Sequence, residues 1–208
     1  ENPAGQGTVE SPYQIENGAQ LAWLADTVNK ADSGAKFYAE LTDDIDLGGN
    51  PFTPIGTQSG YSSVYPYQGS FDGQGHTVTG LNVSAQYAGL FGVIQDAKIK
   101  NVIVQGTVTS SNGDAGGIVG RAIGTDNTIT NCGNEGRVTG YKDVGGLIGW
   151  FYGDTMTGCY NTGDVSGTGA NDFGGITGYA KQAVIKDVYN TGHVTGGKNY
   201  IGGLVGLM

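Results

Sequence analysis

Apolar residues in this chain come in short runs closed by Gly, Asn or Asp, and the runs recur. Gly116-Gly117-Ile118-Val119-Gly120 returns as Gly145-Gly146-Leu147-Ile148-Gly149, Gly174-Gly175-Ile176-Thr177-Gly178 and Gly202-Gly203-Leu204-Val205-Gly206. A degenerate copy, Ala88-Gly89-Leu90-Phe91-Gly92, precedes them, so copies begin at 88, 116, 145, 174 and 202, in steps of 28 or 29. A second phrase follows each of the first four copies: Ile99-Lys-Asn101-Val102 through Gly106-Thr-Val108, then Ile129 to Val138, Met156 to Val165 and Ile185 to Val194. Such a period signals a solenoid. The β-branched runs bounded by turn residues predict strand–turn–strand units, and no unit holds a ten-residue stretch of helical period.

One unit cannot bury its own apolar side chains, whereas stacked coils can, with equivalent residues above one another at the ~4.8 Å strand spacing. The alignment predicts three columns: Ile99, Ile129, Met156, Ile185; Val102, Cys132, Cys159, Val188; and Val108, Val138, Val165, Val194. Ile129 and Cys132 are three apart, which on a straight strand would put them on opposite faces, so a corner lies between them. Asn101, Asn131, Gly158 and Asp187 occupy it, all types that tolerate left-handed geometry. Gly106, Gly136, Gly163 and Gly192 mark a second corner, where a side chain would clash or φ is positive. A further column, Thr109, Thr139, Ser166 and Thr195, faces outward; the flanking Arg137, Asp164 and His193 make it too irregular to match an ordered surface such as ice.

The first part of the chain reads differently. Leu21, Leu24, Ala25 and Val28 share one helical face, with Asn17 as N-cap and Gln20 as its capping-box partner. A strand entering a turn follows over "FYAELTDDIDLGG". A solenoid end needs a cover, so residues 1–50 are assigned as a helical cap with the first strands and 51–208 as coils, about five in all. The fold class is all-β: a parallel β-helix with a short capping helix.

Composition narrows the partners. The chain has 208 residues, 40 of them Gly without a Gly-X-Y period, which excludes collagen. Its net charge of −9 disfavours nucleic acid and anionic lipid, and no apolar run approaches the ~20 residues of a membrane helix, so no membrane insertion is expected. The chain begins at Glu1 without Met and ends on the opening phrase of a coil, which reads as a piece of a longer, processed or repeated protein.

The ordered phrases resemble GLUG repeats. The stretches Gly7–Ile15, Leu21–Ala25, Leu41–Leu47, Pro54-Ile55-Gly56 and Phe71–Val78 resemble the leader that precedes such repeats. The family occurs in large secreted or wall-attached bacterial proteins, including adhesin-like proteins and the non-catalytic part of immunoglobulin A1 peptidases. The resemblance implies a right-handed β-helix acting as a surface module, and it carries over no catalytic residue.

Candidate chemistry is sparse. His-Glu-x-x-His, Gly-x-Ser-x-Gly and Walker motifs are absent from the sequence. Asp43, Asp44 and Asp46 form the densest acid cluster, a weak candidate for calcium or for a carboxylate pair in glycan cleavage. Asp43 and Asp44 would point to opposite strand faces, and the preferred reading is turn residues capping backbone N–H groups. Asp72 reads the same way, and Asp114 in "NGDAGG" lacks the run of ligands a loop cation site needs. His76 and His193 fall at unrelated repeat positions. Cys132 and Cys159 are stacked neighbours within disulfide reach of the backbone, preferred as buried thiols. Tyr61, Tyr65 and Tyr67 sit in an insertion at 56–70 and, with Trp150 and Tyr152, are the candidate ligand-binding aromatics. The expectation is a non-enzymatic, extracellular module that binds a host or matrix protein or a glycan and is able to associate end to end. Two alternatives remain open: a carbohydrate-binding or polysaccharide-cleaving β-helix, and a segment of a large secreted peptidase.

Overall fold

The computed structural model describes residues 2–31, 35–59, 63–167, 169, 171–197 and 199–208. The chain winds as a parallel β-solenoid. Its longest sheet stacks eight rungs, each parallel to the next: Tyr13–Ile15, Phe37–Leu41, Tyr67–Asp72, Phe91–Lys100, Val119–Ile123, Ile148–Tyr152, Thr177–Lys181 and Val205–Leu207. Eight rungs make about seven turns, not five. The difference comes from the first three rungs, which lie before the earliest glycine phrase and carry none. Strands Tyr13–Ile15, Phe37–Leu41 and Ile45–Asp46 already belong to the sheets, so residue 50 falls inside the solenoid. A second parallel sheet runs from Ile45–Asp46 and Thr77–Ser84 through Ile103–Thr109 to the last coil, and a third stacks Val144–Gly145, Phe173–Gly174 and Ile201–Gly202.

The columns are in the expected register and longer than expected. Ala39, Phe71, Ile99, Ile129, Met156 and Ile185 pair in sequence, as do Val83, Val108, Val138, Val165 and Val194. All four corner residues are left-handed: Asn101 at φ 55°, Asn131 at 51°, Gly158 at 66° and Asp187 at 52°. At the glycine corner close approach decides: a Cβ on Gly163 would meet the Gly136 carbonyl, and one on Gly192 the Gly163 carbonyl.

Inside the repeats runs a polar ladder. Asn134 Nδ2 donates to Asn161 Oδ1 at 2.7 Å, and Asn161 Nδ2 to Asn190 Oδ1 at 2.8 Å. The same amides donate to the carbonyls of Gly136, Gly163 and Gly192, so their donors are used within the coil and along the axis. The second glycine of three phrases makes room for it: a Cβ on Gly117, Gly146 or Gly175 would strike Asn134, Asn161 or Asn190 respectively.

Helix α1, Gly18–Lys30, buries Leu21, Leu24, Ala25 and Val28 in the same continuous core as the coils. Asn17 Oδ1 accepts from Gln20 N at 3.0 Å; Gln20 Oε1 reaches one residue further back than a capping box, to Glu16 N at 2.7 Å. In the last described coils Tyr189 is 54 %, Ile201 50 % and Leu204 43 % exposed.

Candidate functional site

One residue precedes the first glycine of each repeat phrase, and the residue before that one forms a column. Asp114, Asp143 and Asp172 stand there, each buried, one coil apart along the axis. Their backbones are locked in the ladder: the carbonyls of Asp114, Asp143 and Asp172 accept from the N–H groups of Ala88, Ala115 and Val144. Three carboxylates at ~4.8 Å spacing repel unless cations intervene. Two cations do. Arg121 Nε donates to Asp114 Oδ2 at 2.6 Å, while Lys142 Nζ lies 3.4 Å from Asp143 Oδ2 and 3.8 Å from Asp114 Oδ1. The charges do not balance. Burial, and then the neighbouring Asp114 and Asp172, push the Asp143 carboxyl up to about 7 against the pull of Lys142. Burial also raises Asp172.

Asp114 is completely buried, yet its Oδ1 accepts no hydrogen bond, one of two such buried side-chain atoms among the described residues. It lies under a cleft of about 350 Å³. The rim is built by Gln58 of the antiparallel hairpin Thr57–Ser59/Ser63–Tyr65, by Gln86 and Tyr87, and by Asn112. Arg121 is held between rings, its guanidinium carbon 4.5 Å from the Tyr87 centroid and 5.4 Å from that of Trp150. Arg121, Trp150 and Tyr179 are register partners on successive rungs, and Trp150 stacks on Tyr179 at 5.9 Å with planes 6° apart.

That stacking changes the picture of the candidate aromatics. Trp150 and Tyr152 are half-buried and stacked at 5.7 Å with planes 13° apart, so each ring has a neighbour on one face. Tyr65 is half-buried in the hairpin, and Tyr61 lies outside the described residues. Tyr67 is not on an exposed loop at all: it is a core residue with 0 % exposure, 5.1 Å from the Phe91 ring. Its hydroxyl lies 2.9 Å from the Phe37 carbonyl and 2.7 Å from that of Ser70, and burial holds its pKa well above the usual phenol range. The insertion therefore returns to the core two residues after Tyr65.

The acids at 43–46 occupy turns. Asp43 Oδ1 accepts from Asp44 N at 2.8 Å and Asp46 Oδ1 from Gly48 N at 2.7 Å. Asp44 Oδ1 accepts from Thr77 N at 2.9 Å and meets His76 Nδ1 at 3.2 Å; both contacts lower its pKa, the backbone one more. Asp72 Oδ1 likewise accepts from Gln74 N at 2.9 Å. Among the described residues no group of three or more His, Cys, Asp or Glu side chains converges as a metal centre. Cys132 and Cys159 are buried and free, with Cys132 N–H donating to Cys159 Sγ at 3.4 Å. Sequence reasoning treated Asp114 singly and missed the column; its signal was the acid repeated two residues before the first glycine of three phrases.

No family model matches the chain. It is 32 % identical over 142 residues to halomucin of Haloquadratum walsbyi, a match covering 62 % of this chain and 2 % of that protein. It is 31 % identical over 132 residues to a protein of Evansella cellulosilytica named "Putative Gly-rich membrane protein", covering 59 % of this chain and 14 % of the relative. The chain thus spans a small part of the length of these relatives. Among solved structures, a Bacteroides ovatus chain described as a "putative immunoglobulin A1 protease" aligns over 96 % of this chain and 86 % of its own, at 19 % identity and a TM-score of 0.48.

Proposed function

We propose that the chain is a non-catalytic module of an extracellular or cell-surface protein, a stiff solenoid of adhesin-like or spacer type that presents side-chain surfaces to a host or matrix protein or a glycan. The observation that carries this reading is axial continuity: apolar columns and an amide ladder run in register from coil to coil. Such packing makes neighbouring coils move together. The matches to halomucin and to the Evansella protein support a surface setting, and the resemblance to GLUG repeats supports the adhesin-like form.

Small-angle scattering and turnover assays test the reading together. The expected result is a scattering curve of one rigid particle, with no reducing sugar released from a polysaccharide panel and no cleavage of peptide substrates. Turnover that survives purification, or a scattering curve demanding a flexible joint between coils, would overturn it.

A further inference from the structure

The cleft above Asp114 is built from charged and polar side chains, with the completely buried Asp114 carboxylate at its floor. Every lining residue except Gly113 carries a hydrogen-bonding side chain, which disfavours an apolar occupant. Its volume of about 350 Å³ lies at the small end of the ~300–1,000 Å³ range of ligand sites. A divalent cation is disfavoured because Arg121 and Lys142 already stand beside Asp114. A phosphate or uronate is disfavoured by the acceptor-only oxygen at the floor and by Asp143 and Asp172 in the column below.

What remains is a neutral ligand dense in groups that both donate and accept, which is the chemistry of sugar hydroxyls. The 3.8 Å gap between Lys142 Nζ and Asp114 Oδ1 is too long for a hydrogen bond. A hydroxyl entering there, with the half-exposed lysine swinging outward, donates to Oδ1 and accepts from Nζ. Arg121 is fixed beside it: Nε is taken by Asp114, the guanidinium is clamped between Tyr87 and Trp150, and no other carboxylate among the described residues pairs with it. Its outer N–H groups are therefore available to a neighbouring hydroxyl. The rim amides of Gln86 and Asn112 are exposed.

We propose that this cleft binds one neutral saccharide unit, with adjacent hydroxyls engaging Asp114 Oδ1, Lys142 and Arg121. The inference deepens the presenting role by naming the ligand class. It also moves the sugar contact away from the stacked aromatic faces to a polar cleft beside them.

The test uses the whole chain, isotope-labelled, titrated with the methyl glycosides of glucose, galactose, mannose and N-acetylglucosamine up to about 10 mM, enough to reveal a millimolar site. Galacturonate, inorganic phosphate and calcium chloride are titrated in parallel. The expected result is amide shifts at Gly113 and Asp114 and a side-chain shift at Arg121 Nε with at least one neutral glycoside. Affinity should fall at least about tenfold in Lys142→Ala, as for the loss of a hydrogen bond to a charged group. It should stay unchanged in Lys186→Ala, which removes an exposed lysine far along the solenoid. Asp114→Asn should abolish binding; if that variant does not fold, Lys142→Ala and the rim variant Asn112→Ala carry the test. No shift with any neutral glycoside, shifts confined to another surface, or shifts given only by the anions or by calcium would each overturn the proposal. A negative result leaves the stiff-module reading intact, since that is decided by scattering and turnover.

Discussion

Two polar columns run along this solenoid, and they end differently. Asn134, Asn161 and Asn190 lie inside the coils with their amides joined to one another and to glycine carbonyls. Asp114, Asp143 and Asp172 are as regular in sequence, yet they share two cations among three carboxylates and leave Asp114 Oδ1 without a hydrogen bond. An amide carries both donor and acceptor, so a stack of asparagines satisfies itself at any length. A carboxylate only accepts, so a stack of aspartates needs something from outside. The first column belongs to stability, and the second is where a ligand or a proton has work to do.

The largest expected effect comes from breaking the first column. Asn161→Leu removes the acceptor for Asn134 and the donor to Asn190 and Gly163 in one step. It should destabilise the chain by about 3 kcal/mol, since each buried polar group left unpaired costs roughly 1–3 kcal/mol. Chemical denaturation measures it, and a loss below about 1 kcal/mol would mean the ladder is not a stability element. Next in size is Gly146→Ala, whose Cβ strikes the Gly175 carbonyl and the Asn161 amide; overpacking of this kind costs about 1–3 kcal/mol. Gly203→Ala is its control at the matching position of the last phrase. Nothing lies within 4 Å there, and the change should stay within about 0.5 kcal/mol. Equal losses at the two sites would show that backbone entropy, not room for the ladder, selects these glycines.

The same contrast sets what could be read from the sequence. Apolar columns and left-handed corners were legible because each coil repeats them and elementary sterics interprets them: Ile99 to Ile185, and Asn101 to Asp187. The early coils were miscounted because rings fill them instead of a glycine phrase. Phe71 occupies the isoleucine column, its ring 5.2 Å from that of Phe91, which in turn lies 5.1 Å from the Tyr67 ring. Tyr67 was misplaced for the same reason, since an interrupted repeat looks like a loop until the ring is seen to replace aliphatic packing. The asparagine ladder was written in the "Tyr-Asn-Thr-Gly" phrase, but an amide at a strand end reads equally well as a turn. The cleft itself could not be read: Gln58, Gln86 and Arg121 are brought together only by winding.

The smallest effect is also the sharpest probe of the aspartate column, because its sign opposes ordinary acid denaturation. The Asp143 carboxyl titrates near 7 in the folded chain, against 3.8 for a free aspartate side chain. Groups facing it are Asp114, Asp172 and Lys142, and two of those three disfavour its charge. A carboxyl raised by folding binds its proton more tightly in the native state, so its contribution is fully present below about pH 4 and is lost as the pH rises through about 7. Asp154, raised to about 6 mainly by burial, acts in the same direction. Asp44 and Asp72, both lowered, oppose it only below their ordinary range. The melting temperature should therefore climb on going from neutral pH to about pH 5, with a slope no steeper than about 1.4 kcal/mol per pH unit for each group. Asp143→Asn should flatten that slope and raise stability at neutral pH, because an amide brings a donor to a column that lacks one. If the slope is unchanged in Asp143→Asn, the column is not frustrated, and the difference from the asparagine ladder is one of sequence alone.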